Sequence, residues 1–299
     1  MMTKMLPTVC KTYIAKTQFL FHCNIKIKIP ESFGEVLLDE CFAILKMIDL
    51  NYNSYQVGSY FHQINQQAGN WVEVDNACIS MIQQLQKVSE CTDGAYDISC
   101  MPLLQLWGFY REENFRVPTD SEIRESLSKI DYRKIEIKGN KVRIAANQEL
   151  ITGSFLKSFA VDQLIDFLKN KGVTDAIINA GGSTIFGLND ETHETWKINL
   201  PIQNTENSAN QITISNQCFS LSARVHNRIR IQGKEYGHIF NSKTGYPTET
   251  SQVGVWCEHA FLADVLSTAI FSLDKTEVSN VIQRLKSVFE FEYFRIEKN

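Results

Sequence analysis

The sequence predicts an α+β fold, in which mixed and antiparallel sheets pack against helices in two intimately associated halves. Strand-like and helix-like runs follow one another without strict β-α-β repetition, which favours this class over a doubly wound sheet. The 299 residues are enough for one large unit or two packed halves. Only 15 glycines and 6 prolines are present, well below the usual combined share of about 12%. This composition excludes a collagen-like or broadly disordered chain.

The first half of the chain contains two strand regions and two helices. Ile25, Ile27 and Ile29 alternate with polar residues and predict a half-buried strand over 20–29. Apolar residues at helical spacing predict helices over 31–48 and 75–90. A strand pair is expected around 134–146, with its turn at Gly139-Asn140.

The second half begins with an amphipathic helix over 155–171, which Gly172 stops. A buried strand follows over 176–187, interrupted by a pair of glycines. The remaining predicted elements are strands over 196–199, 211–215, 218–222 and 228–232, and helices over 260–272 and 276–287.

Charge and hydropathy exclude two classes of partner. The chain has 30 Lys and Arg against 34 Asp and Glu, a net charge of −4, so nothing favours general nucleic-acid binding. No apolar run reaches the roughly 18 residues of a membrane span. Lys4, Pro7, Lys11 and Lys16 interrupt every apolar run near the start, so no export signal is predicted and the expected location is cytoplasmic.

Eight cysteines are scattered along the chain without a CxxC pair. Zinc sites need close ligand pairs, and disulfide frameworks are typical of shorter, denser secreted chains. We therefore expect the cysteines to be reduced and to act as small buried apolar side chains, in a reducing compartment.

Four polar stretches are candidates for chemistry. Asp264 and Thr268 lie four residues apart on one predicted helix face, where a carboxylate and a hydroxyl can share a hard cation. The other stretches, taken singly, are as typical of turns as of binding sites. The four are TDGAYDI at 92–98 with PLLQLWGF at 102–109, NAGGS at 179–183, GHIFNSKTGYP at 237–247, and ADVLSTA at 263–269.

In this order the stretches resemble the ApbE family, the FAD:protein FMN transferases. Further matching segments are Tyr55 to Ser59 running on to Asn65, LKSFAVDQL at 156–164, and SLSAR at 220–224. The resemblance extends from about residue 17 to residue 290. It predicts an N-terminal extension over 1–16 and an ApbE-like flavin transferase domain over 17–299.

The resemblance implies an enzyme that moves FMN from FAD to a threonine hydroxyl of an acceptor protein and releases AMP. The implied cofactor is Mg²⁺, and the implied partners are FAD and the acceptor protein. The family pattern places the Mg²⁺ ligands at Asp264, at Thr268 and at the backbone carbonyl near Ser154. His238 matches a family histidine that acts as a base or orients the phosphate. The family residues that contact FAD correspond to Phe21, Tyr55, Ala95, Tyr96, Asp97, Lys157, Ile239 and Phe240.

Four positions depart from the family pattern and leave two alternative functions open. The family usually has a Met-Gly-Thr turn, an aspartate, a glycine and a proline where this chain has Phe21-His22-Cys23, Ile151, Ser158 and Ser242. One alternative is an FAD-binding relative that has lost transfer. The other is an FAD pyrophosphatase that uses water as the nucleophile and gives FMN and AMP.

Overall fold

The computed structural model describes residues 11–110, 116–200, 211–224 and 228–297. The strands in these ranges are β1 (Tyr13–Leu20), β2 (Cys23–Pro30), β3 (Val72–Glu73), β4 (Glu136–Lys138), β5 (Lys141–Arg143), β6 (Ala176–Ala180), β7 (Thr184–Leu188), β8 (Trp196–Asn199), β9 (Gln211–Ile214), β10 (Gln217–Ala223), β11 (Arg228–Ile231), β12 (Lys234–Gly237), β13 (Phe240–Asn241), β14 (Tyr246–Pro247), β15 (Thr250–Cys257) and β16 (Glu292–Glu297). The helices are α1 (Gly34–Tyr52), α2 (Tyr60–Gln66), α3 (Asn76–Cys91), α4 (Met101–Leu106), α5 (Asp120–Leu127), α6 (Leu156–Asn170), α7 (Ala260–Phe271) and α8 (Val278–Lys286).

A seven-stranded sheet forms the centre of the fold, in the order β1-β2-β6-β7-β10-β15-β16. All neighbouring strands in it are antiparallel. Helices α1, α6 and α7 pack on one face of this sheet, and α3 packs against α7. The ribbon of β8 and β9 covers part of the opposite face with Trp196, Ile198 and Ile214. The predicted α+β class is therefore confirmed.

A second, smaller apolar cluster joins α4 and α5 to the strands β11 and β13. Trp107 is almost fully buried in it, and its Nε1 donates a hydrogen bond to the Gly245 carbonyl at 3.0 Å. Gly245 has φ +78°, and a Cβ there would lie 2.4 Å from Ile123 Cγ2. The second cluster therefore fixes the loop that contains His238 and Phe240 against α5.

The longer predicted elements are confirmed, including α3, α6 and the turn at Gly139-Asn140 between β4 and β5. One prediction is wrong: 176–187 is not a single interrupted strand but the hairpin of β6 and β7. Gly181 and Gly182 have φ +69° and +74°, and Gly182 donates its N–H to Asn179 Oδ1 at 2.8 Å. Positive φ at two successive glycines reverses the chain here.

Two long strands do not follow from the sequence patterns. Strand β1 is an edge strand with no fully buried residue, so its apolar alternation is weak. It begins at Tyr13, within the predicted extension 1–16, and it pairs with β2 along its whole length. Strand β15 lies inside the sheet and is buried on both faces. Its first three residues, Thr250 to Gln252, are polar, and Gly254 interrupts the apolar residues that follow, so neither alternation nor an apolar run marks this strand.

In the described ranges, no helix is both long and apolar enough to cross a bilayer. The seven cysteines in these ranges form no disulfide, and five of them are buried. Cys10 lies outside the described residues. Cys23 and Cys100 are partly exposed.

Candidate functional site

Helix α7 places Asp264 and Thr268 against alternate residues of β10. Ser220 Oγ donates to Asp264 Oδ1 at 3.0 Å, and Ser222 Oγ lies 3.3 Å from Thr268 Oγ1. Two residues of strand rise about 6.8 Å and four residues of helix rise about 6 Å, so the two pairs meet in register. The intervening Leu221 faces the ribbon on the other side of the sheet. The packing of α7 on β10 therefore puts a carboxylate and several hydroxyls in one place.

Lys157, in the first turn of α6, is the basic partner of Asp264. Its Nζ lies 3.0 Å from Asp264 Oδ2 and also donates to the hydroxyl of Thr184 on β7. The Lys157 and Asp264 side chains are only 14% and 10% exposed. A buried charge needs such partners, because desolvation penalises an isolated ion. Both oxygens of Asp264 are therefore engaged, one by an ammonium and one by a hydroxyl.

Ser154 joins this cluster through Tyr96. The Tyr96 hydroxyl lies 2.9 Å from Ser154 Oγ. Burial raises the pKa of Tyr96 well above its usual value, and the charge of Asp264 adds to this effect. Tyr96 thus stays a neutral phenol near the carboxylate. The neighbouring Ala95 is fully buried, and its carbonyl accepts a hydrogen bond from the Ser242 N–H at 2.9 Å.

The donors of Asp264, Thr268 and Ser154 are of the kind that Mg²⁺ prefers. All are oxygens, and a carboxylate with neutral oxygens suits a hard cation. No group of three or more His, Cys, Asp or Glu side chains that could hold a metal occurs in the described ranges. In this part of the chain, Asp264 is the carboxylate that lies beside Thr268 and could hold a cation. Such a cation would compete with the Lys157 ammonium for Asp264 Oδ2. The residues present fit Mg²⁺, on the condition that this ion pair can separate.

Asp97 connects two loops through both of its carboxylate oxygens. Oδ1 accepts from the backbone N–H and the hydroxyl of Ser99, each at 2.8 Å, and Oδ2 accepts from the Tyr132 N–H at 2.7 Å. Burial raises the pKa of Asp97 to about 6, although these hydrogen bonds oppose the shift. The carboxylate therefore shapes the loop around Tyr96, and its predicted place beside FAD stays a prediction.

The loop with His238, Ile239 and Phe240 lies next to the second apolar cluster. Phe240 is buried, with its ring centroid 5.7 Å from that of Trp107 and 5.9 Å from that of Phe109. His238 is partly exposed, with its ring centroid 6.4 Å from that of Phe109. Ile239 is partly exposed and packs against the main core. The Ser242 N–H bond to Ala95 joins this loop to the Tyr96 loop.

Two predicted flavin contacts, Tyr55 and Phe21, are accessible from solvent. Tyr55 is 44% exposed and pairs with Tyr110, at a ring centroid distance of 5.6 Å. Phe21 and His22 form the two-residue turn between β1 and β2, with φ +51° and +58°. Positive φ at both positions is the type I′ hairpin geometry. Phe21 is partly exposed and packs against the main core.

The departures at Ile151 and Ser158 have plain structural consequences. Ile151 is buried in the second apolar cluster, and its N–H donates to the Ile98 carbonyl at 2.8 Å. Ser158 is fully buried, and its hydroxyl donates back to the Phe155 carbonyl at 2.8 Å. The extra hydroxyl is therefore satisfied within α6. At Ser242, a proline could not donate the hydrogen bond to Ala95.

Four residues that contact or approach this cluster have no role predicted from the sequence motifs: Cys23, Thr184, Ser220 and Ser222. Ser220 and Ser222 alternate on the predicted strand 218–222, which is the signal that matches them to Asp264 and Thr268. Burial raises the pKa of the Cys23 thiol while the charge of Lys157 opposes the shift, so Cys23 lies near the ion pair. Thr184 and Cys23 show no pattern that sequence alone would reveal.

Comparison with known proteins shows one consistent likeness. A family model described as the ApbE family matches residues 21–291. The FAD:protein FMN transferase of Haemophilus influenzae is 24% identical over 259 residues, 82% of this chain and 75% of the relative. That of Klebsiella pneumoniae is 26% identical over 252 residues, 81% and 77% of the two chains.

Solved structures show the same fold. The crystal structure of the ApbE protein from Thermotoga maritima has a TM-score of 0.86 at 23% identity, covering 96% of this chain and 94% of that one. The apo form of the Pseudomonas stutzeri flavinyl transferase ApbE has a TM-score of 0.81 at 23% identity, with coverage of 97% and 95%.

Proposed function

The chain belongs to the ApbE family, and on this premise we propose that it is an FAD:protein FMN transferase. In this reaction the threonine oxygen of an acceptor protein forms a bond to the phosphorus of the FMN half of FAD. The pyrophosphate bond of FAD breaks, AMP leaves, and the threonine proton passes to a base. The observation that carries the proposal is the cluster of Asp264, Lys157 and Thr268.

Each residue of the cluster has a role that follows from its position. Asp264, Thr268 and the Ser154 segment would hold Mg²⁺, which neutralises charge on the pyrophosphate as a Lewis acid. Lys157 brings a second positive charge to the same place, and it is free to bind a phosphate oxygen once the cation takes over Asp264. Such fixed charges stabilise the transition state because they need no rearrangement during the reaction.

His238 is the proposed acceptor of the threonine proton. It is partly exposed, so an acceptor side chain can reach it, and an imidazole nitrogen can accept a proton. Tyr55 with Tyr110 offers an aromatic surface for a flat ring. The Ser242–Ala95 hydrogen bond joins the Tyr96 loop to the His238 loop. The wall between the metal cluster and His238 would therefore consist of residues from both loops: Ala95, Tyr96, Ile239 and Phe240.

A second candidate function is FAD binding without transfer. Ile151 favours it, because a buried isoleucine stands where the family has a carboxylate. FAD hydrolysis is the third candidate, since water can replace the threonine wherever the acceptor is absent. Ser158 and Ser242 do not weigh against transfer, because both make hydrogen bonds that the fold accommodates.

One assay separates the three functions. The purified protein is mixed with FAD, Mg²⁺ and an acceptor domain carrying the family's target threonine, and in-gel flavin fluorescence is read together with AMP release. We expect a fluorescent acceptor band that EDTA abolishes and that a threonine-to-alanine acceptor does not give. AMP with free FMN and no band would indicate hydrolysis. Bound FAD with neither product would indicate a binding protein.

A further inference from the structure

Helix α7, which carries Asp264 and Thr268, has no capping side chain of its own. Its N-cap residue is His259, whose side chain makes no capping hydrogen bond, and its first turn has no acidic residue. The first two residues, Ala260 and Phe261, are buried, so water cannot readily satisfy their N–H groups. Unsatisfied buried N–H groups at a helix start are costly.

Asp162, from the middle of α6, supplies the missing acceptors. The Ala260 N–H donates to Asp162 Oδ1 at 2.7 Å, and the Phe261 N–H donates to Asp162 Oδ2 at 2.9 Å. Each carboxylate oxygen is therefore assigned to one backbone donor. A negative charge at a helix N-terminus is also favoured by the helix dipole. Asp162 lies 98 residues before Ala260 in the chain, so this is a tertiary contact between two helices.

The same two helices are joined a second time, at the metal cluster. Lys157 precedes Asp162 by five residues, about 7.5 Å along α6, and Asp264 follows Ala260 by four residues, about 6 Å along α7. The two helices therefore run antiparallel, and the distance between the two contacts is similar along each helix. Between these contacts the ring of Phe159 on α6 packs against that of Phe261, which also contacts Phe155, the residue before α6. Sliding or rotating α7 would break the Asp162 bonds and displace Asp264 together.

On the basis of the proposed transferase function, we propose that Asp162 is a positioning residue, which sets α7 so that Asp264 can bind the catalytic cation. It touches neither the substrate nor the cation, and it acts through the backbone of Ala260 and Phe261. Substitution of Asp162 should weaken cation binding, because Asp264 is the only carboxylate assigned to the metal. Lys157 alone cannot set the helix, since a long flexible side chain can follow a displaced carboxylate.

The test is a calorimetric Mg²⁺ titration of the full-length, FAD-loaded protein without acceptor, followed by turnover against Mg²⁺ concentration. Asp162→Ala removes both acceptors, and Asp162→Asn keeps one of them at nearly the same volume. Asp166→Ala is the matched control, because Asp166 is exposed one turn later on α6 and lines the same surface groove of about 310 Å³. It makes no hydrogen bond to α7 that the structure identifies.

We expect the Mg²⁺ concentration for half-saturation to rise about tenfold in Asp162→Ala and about threefold in Asp162→Asn, as for the loss of two bonds or one. Turnover at saturating Mg²⁺ should recover, and Asp166→Ala should match the wild type. Asp162→Ala could instead have a lower melting temperature and an unchanged Mg²⁺ concentration for half-saturation. That result would show that Asp162 has only a structural role, and it would overturn the inference. If Asp162→Ala does not fold, Asp162→Asn decides by the same criterion.

Asp264→Ala distinguishes this inference from the proposed function. Asp264→Ala could lose Mg²⁺ binding while Asp162→Asn and Asp162→Ala bind Mg²⁺ as the wild type does. That result would support the metal site and refute only the role of Asp162. Unchanged Mg²⁺ binding in Asp264→Ala would refute the metal site itself, and the role of Asp162 with it.

Discussion

Removing the Lys157 ammonium should make the stability of the fold depend more strongly on Mg²⁺ than it does in the wild type. In Lys157→Met the aliphatic stem is kept and the charge beside Asp264 is lost. At the observed 3.0 Å and an effective dielectric constant of about 20, the attraction between the two charges is roughly 5 kcal/mol. Removal of one partner of a buried pair typically costs about 3–5 kcal/mol, because the other charge stays uncompensated. The pair retains 14% and 10% exposure, so we expect about 3 kcal/mol.

The assay is urea unfolding of wild type and Lys157→Met, each in EDTA and in excess Mg²⁺. The variant should lose about 3 kcal/mol in EDTA and regain part of it in Mg²⁺, because the cation neutralises Asp264 in place of the ammonium. The matched control is Lys171→Met at the other end of α6. Lys171 pairs with Glu40 at 2.7 Å, but both side chains are more than 40% exposed.

The control should lose at most about 1 kcal/mol, as exposed pairs do, and its stability should respond to Mg²⁺ only as much as that of the wild type does. Equal stability of Lys157→Met and wild type in EDTA would show that the pair contributes nothing. A loss that Mg²⁺ does not reverse would show that the cation does not reach Asp264.

Three further outcomes are expected. Asp264→Ala should abolish Mg²⁺-dependent turnover, because it removes the only carboxylate assigned to the metal; unchanged turnover would contradict that assignment. Ser242→Pro should lower stability by about 1–2 kcal/mol, since the buried Ala95 carbonyl loses its donor; urea unfolding measures this, and Ser242→Ala, which keeps the N–H, is the control. The folded-state pKa of Asp97 is raised to about 6 from 3.8, so its contribution to stability is full below pH 4 and is lost as pH rises through 6. The loss is about 3 kcal/mol for a shift of two pKa units. The wild type should therefore lose more stability than Asp97→Asn between pH 4 and pH 6. Parallel curves of unfolding free energy against pH for the two proteins would refute the shift.

Local patterns in the sequence determined the α+β class and most of the long helices. Helices α3 and α6 have one clear apolar face, and the strand β2 alternates strictly, because each buries only one side. The same patterns do not reveal β1 or β15, since an edge strand needs little apolar surface and a strand buried on both faces shows no alternation. The glycine pair at 181–182 marked a break, but only its positive φ values decided that the chain reverses there.

The candidate site was predictable as a set of residue types, and its arrangement was not. Spacing alone placed Asp264 and Thr268 on one helix face, because the helical period is a local property. The ion pair of Lys157 and Asp264 joins residues 107 apart, and the cap of α7 by Asp162 joins residues 98 apart. Such contacts depend on how α6, α7 and β10 pack, which no local period encodes. Whether a buried carboxylate meets a cation, a lysine or a hydroxyl is therefore decided only in the folded protein.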